Sequence, residues 1–152
     1  MYWTKEIFME NKVDGTFFYN HLKEKIAFLL KDEYWHISTE KVDSKTGGCL
    51  IAYRSVNNPI ELSGITFSYN LHDNFMCAIR CCQNKTLWFE HFFRRCGLDF
   101  AKENIYVLDK GKGLTTEEII RLYPLALDEN VRLLKKGIDF IRDKDKREYV
   151  FS

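Results

Sequence analysis

Arg54 and Arg80 are the residues of this sequence best suited to hold another molecule. Each guanidinium presents five donors in a planar fork that matches a carboxylate or a phosphate. Both sit in stretches where residue types alternate, and their neighbours two positions away, Ala52 and Ala78, are small. Period-two alternation also sends His36, Glu40, Gly64 and Ser68 to the same side. His36, Glu40, Arg54, Ser68 and Arg80 are therefore a candidate binding set over a shallow floor. A second candidate is Asp109-Lys110-Gly111-Lys112-Gly113, where Lys110 and Lys112 precede a predicted helix start whose backbone donors suit an anion. It departs from the nucleotide-hydrolase loop, because Gly111-Lys112 is followed by Gly113 and the earlier required glycine is missing.

Nucleophilic and metal chemistry find less. Cys49, Cys77, Cys81, Cys82 and Cys96 are mostly embedded in apolar runs, and with His72 and His91 they include no pair at the two-residue spacing of a zinc knuckle. A reactive cysteine needs an electropositive, partly open setting and a histidine partner, and no local signature of that kind occurs. No catalytic residue, metal or cofactor is expected.

The chain has 152 residues, 45% hydrophobic and 15% aromatic, enough for one domain with one core. No linker or internal repeat divides it, so residues 1–152 are expected as a single domain. The elements follow from periodicity. After an arm at 1–14, Phe18, Leu22, Ile26, Leu29 and Leu30 recur at helical spacing over 16–31, with Thr16 as N-cap. Residues 35–82 alternate in four runs separated by turn residues, which predicts an antiparallel meander. A helix is expected over 85–97 on a Trp88, Phe92, Cys96 stripe, ending at Gly97. A short strand over 105–108 follows, then helices over 115–143 opened by a Thr115/Glu118 capping box and ended or kinked at Pro124.

The expected class is α+β, a four- to five-stranded antiparallel meander covered on one face by helices, in the order α-β-β-β-β-α-β-α-α. Trp88, Phe92, Phe18, Leu22, Ile65 and Phe67 are expected in its core. Leu127, Val131, Leu134, Ile138 and Ile141 recur at 4, 3, 4 and 3 residues. That seam suits either the chain's own core or a homodimer through a second copy.

Charge and hydropathy narrow the function classes. With 23 basic and 22 acidic residues the net charge is +1, which gives no field for concentrating a polyanion and argues against nucleic acid as a partner. No apolar run approaches the roughly 20 residues that span a bilayer, so no membrane partner is expected. The first residues lack the basic-then-apolar pattern of a secretory signal, and an odd cysteine count suits reduced thiols, so a cytoplasmic location is expected.

The element order resembles the core of the restriction-like PD-(D/E)XK nucleases. That resemblance implies strand-borne carboxylates gathering a magnesium ion beside a lysine that orients water. Here Asp43-Ser44-Lys45 has the local spelling, in a hairpin loop, with Glu61 at a strand edge. The leading expectation is nevertheless a non-catalytic binding protein that takes another protein or a small anionic ligand. A metal-dependent nuclease is the first alternative. The second is a non-cleaving nucleic-acid binder using Arg94, Arg95, Lys135, Lys136, Arg142, Lys144, Lys146 and Arg147.

Overall fold

The computed structural model describes residues 15–31, 33–43, 48–69, 76–99 and 116–152. The first helix, α1, spans Gly15–Ile26 and tightens into a 3-10 turn over Ala27–Lys31. Leu22 and Ile26 are buried on one stripe, and Leu29 prolongs it into the turn. Because the helix already includes Gly15, Thr16 lies inside it and does not cap it.

Five strands follow in an unbroken antiparallel meander: β1 Trp35–Asp43, β2 Gly48–Ser55, β3 Leu62–Tyr69, β4 Met76–Cys81 and β5 Lys85–Trp88. The inward face is a set of cross-strand rows, Ile37-Tyr53-Ile65-Ile79-Leu87 and Ile51-Phe67-Cys77. All but Ile37 and Leu87 are buried, and those two pack against the core. Two irregularities adjust the alternation. Register shifts between Ile37 and Thr39 and between Leu62 and Gly64 leave Ser38 and Ser63 as the extra residues of bulges.

The fifth strand corrects the reading of 85–97 as one helix. Residues 85–88 pair with β4, and the helix α2 covers only Phe89–Arg95. The β4–β5 turn places Cys82, Gln83 and Asn84 at φ of 53°, 67° and 65°. Three successive left-handed residues without a glycine give a weak turn signal in sequence. Trp88 consequently ends a strand, points away from the core and is 57% exposed, contrary to its expected burial beside Phe92.

The helices lie on the inward face. Helix α3, Thr116–Phe140, packs on α1 and α2, and α4, Lys144–Val150, contacts α2. Pro124 does not end α3: Tyr123, Ala126 and Leu127 around it are all buried, and that packing outweighs the lost hydrogen bond. Leu127, Val131, Leu134, Ile138 and Ile141 are buried in the chain's own core together with Phe92, Phe93, Val150 and Phe151. The seam is thus occupied within one copy. Arg147, also buried, joins α4 to the loop before β3, donating to the Ile141 carbonyl at 3.0 Å and to Glu61 at 3.3 Å. The expected strand over 105–108 and the Thr115 cap lie outside the described residues, as does the side chain of Phe18. Among the described residues no helix is long and apolar enough to cross a membrane.

Candidate functional site

The opposite face of the sheet is not covered by any described element. Its central row crosses all five strands: His36, Arg54, Gly64, Arg80 and Thr86 stand side by side. The next row is Thr39, Ala52, Thr66, Ala78 and Trp88. Strand pairing alone determines this arrangement, since partners across an antiparallel ladder project to the same side.

Gly64 separates the two arginines. With strands spaced about 4.8 Å apart, the Arg54 and Arg80 backbones lie roughly 10 Å from each other, and Gly64 raises no side chain between them. A Cβ at Gly64 would meet the Tyr53 carbonyl at 3.5 Å and the Arg80 Cβ at 3.8 Å, ordinary contact distances. A side chain would therefore fit there sterically while filling the space both guanidinium groups overlook. Around this point lies an open depression of 380 Å³ lined by Ser38, Thr39, Ala52, Arg54, Gly64, Thr66, Ala78, Arg80 and Thr86, with the Tyr53 backbone. The Ser38 hydroxyl donates to the Ala52 carbonyl at 3.2 Å across one end. Among the described residues no carboxylate lines the depression and neither arginine has an ion-pair partner.

The expected binding set divides. Arg54 and Arg80 come together as anticipated, and His36 extends their row at the edge strand without lining the depression. Ser68 shares the face but lies in an outer row with Leu50 and Met76. Glu40 is a correction. The extra residue at Ser38 reverses the alternation beyond it, so Glu40 pairs with Ile51 and turns to the helix side. There it accepts from Tyr19 and from Lys23, whose Nζ is 3.1 Å away. These partners hold its carboxyl below the usual range. Lys110 and Lys112 fall outside the described residues.

Thr39, Thr86 and Trp88 were missed. Thr39 turns outward only through the bulge at Ser38. For Thr86 and Trp88 the signal is present in Thr86-Leu87-Trp88, where an apolar residue stands between two that project outward. The helical stripe through Trp88, Phe92 and Cys96 masked it.

Other chemistry finds little support. Burial pushes the thiols of Cys77, Cys81 and Cys96 up, that of Cys96 to about 12, which keeps them protonated and poorly nucleophilic. No group of three His, Cys, Asp or Glu among the described residues could hold a metal ion. Glu61, the acidic residue of the nuclease comparison, is engaged by Arg147. Several basic residues near the C-terminus stay exposed but meet local partners. Arg132 meets Glu129, Arg142 meets Asp139, and Lys135 and Lys146 lie over the rings of Phe28 and Phe140.

Compared with known protein families, with curated proteins and with solved structures, the chain matches none.

Proposed function

We propose that this protein is a non-catalytic, cytoplasmic binding module that takes an anionic group, borne by another protein or by a small ligand, on the face of its sheet opposite the helices. One observation carries the reading: Arg54 and Arg80 flank Gly64 in a single cross-strand row over a floor of small residues, with no carboxylate among the described residues that line it. A face that only meets water has no need of that vacancy, and long or β-branched side chains would stabilise the sheet better. Two like-charged arginines also oppose pairing of this face with a second copy, and the apolar seam of α3 is already occupied. The location is supported by Cys77, Cys81, Cys82 and Cys96, which stand as thiols.

The test is titration with inorganic phosphate, citrate and a phosphoserine peptide, followed by amide NMR shifts. At least one of these anions should move the amides of Gly64, Thr66 and Ala78. Arg54→Glu and Arg80→Glu should each abolish the shifts in folded protein. Gly64→Val should do the same by filling the floor without disturbing the fold. If all three variants behave as the parent, or if none of the anions moves these amides, the reading is wrong.

A further inference from the structure

Resting on this reading of the face as an anion site, we infer that its ligand is a mononucleotide: Trp88 holds the base and Arg80 and Arg54 hold the phosphate. The inference begins from the register. Trp88 pairs with Ala78, so its indole rises on the same face as the arginines, one row away from Arg80 and Thr86. Diagonal neighbours on adjacent strands are about 7–8 Å apart, within reach of long and aromatic side chains. Moving across the sheet from its last strand, a ligand therefore meets an aromatic plane, then one guanidinium, then the gap over Gly64, then a second guanidinium. A base joined to phosphate through a sugar carries its groups in that order.

The indole is also left open. It is 57% exposed, and among the described residues no ring or cation rests on it. A phosphate alone would require only the arginines, whereas an exposed tryptophan beside them gives a flat π-system a surface to stack on. Thr86 on β5 and Thr66 on β3 line the same floor beside this path, where sugar hydroxyls would lie.

Size and charge favour the single nucleotide over a strand. The depression between the arginines, whose lining stops short of Trp88, has a volume of 380 Å³, in the range of small-ligand sites, about 300–1,000 Å³. The net charge of +1 supplies no extended path for a phosphate backbone. The strand backbone of the floor is engaged in the sheet ladder, which leaves few groups to read base edges. Discrimination should follow ring area, with purines preferred to pyrimidines.

Calorimetric titration of the full chain with AMP, ribose 5-phosphate and inorganic phosphate tests this. AMP should bind roughly ten-fold or more tighter than ribose 5-phosphate, the difference expected of one base stacked on one aromatic side chain. Trp88→Ala should reduce AMP to the level of ribose 5-phosphate and leave ribose 5-phosphate itself unchanged, while Trp88→Phe should restore most of the gap. Arg54→Glu and Arg80→Glu should weaken all three. Equal binding of AMP and ribose 5-phosphate would overturn the nucleotide while leaving the anion site standing, and absence of binding by all three would remove the nucleotide whatever the other anions do. A single-stranded oligoadenylate that binds far more tightly than AMP, with steep salt dependence, would replace the mononucleotide by a strand.

Discussion

The ring of Phe92 occupies the space that a side chain at Gly137 would take. A Cβ on Gly137 would lie 2.5 Å from Cε1 of Phe92 and 2.8 Å from Cζ, and both residues are buried. Here α3 packs directly against α2. Gly137→Ala gains helix propensity, worth about 1 kcal/mol, but forces a ring already packed against Phe93 and Phe151 to move. The net result should be a loss of about 1–3 kcal/mol, measured as a lower midpoint in urea at unchanged slope. A more stable variant would show that the two helices can separate at little cost.

Tyr53 should be the residue at which removing a polar atom helps. Its hydroxyl is buried without a hydrogen-bond partner among the described residues, and burial pushes the phenol up to about 12. Tyr53→Phe should stabilise the protein by about 1 kcal/mol, since an unsatisfied buried group is deleted with little change of shape. The pH dependence has a definite sign. The folded state keeps the phenol proton where the unfolded chain, with a value near 10, has lost it, so the parent loses stability as pH rises from about 10 toward 12. Thermal melts between neutral pH and pH 11 should show that alkaline decline in the parent and a shallower one in the variant.

Glu40 should act at the other end of the pH range. Its carboxyl is held below its ordinary value by the hydroxyl of Tyr19 and the ammonium of Lys23. A depressed carboxyl contributes stability above the unfolded value, about 4.3, and that contribution disappears as pH falls through the folded value. Glu40→Gln should shift the acid midpoint less steeply with salt than the parent, because the exposed ion pair to Lys23 is screened. Identical acid midpoints and salt slopes for both proteins would remove Glu40 from the acid limb.

Leu134 separates the two uses of the α3 seam. It is fully buried among residues of its own chain, so Leu134→Ala should cost about 2–5 kcal/mol and Leu134→Asp should prevent folding. A folded Leu134→Asp protein whose mass in solution is half that of the parent would return the seam to a partner copy.

Periodicity made most of the architecture legible from residues alone. Alternation in 35–43, 48–55, 62–69 and 76–81 depends only on the geometry of a strand, so the meander, its inward row and the placing of Arg54 and Arg80 on the other side could be read without coordinates. The same holds for Leu127, Val131, Leu134, Ile138 and Ile141, whose spacing declares a helix face whatever lies opposite it.

Tertiary structure decided what periodicity leaves open. Spacing could not say whether the α3 seam faces its own core, because a dimer and a core bury the same pattern; the closure of α2 and α4 around it settled that within the chain. Nor could it locate the bulge at Ser38, where one extra residue reversed Glu40, because a bulge is defined by the partner strand and not by the residue itself. Trp88 illustrates the limit most plainly. Both a helical stripe and a strand alternation pass through it, each satisfied by local spacing, and pairing with Ala78 chose the strand. That hairpin pairing of β5 with β4 brought an aromatic plane to the arginine face.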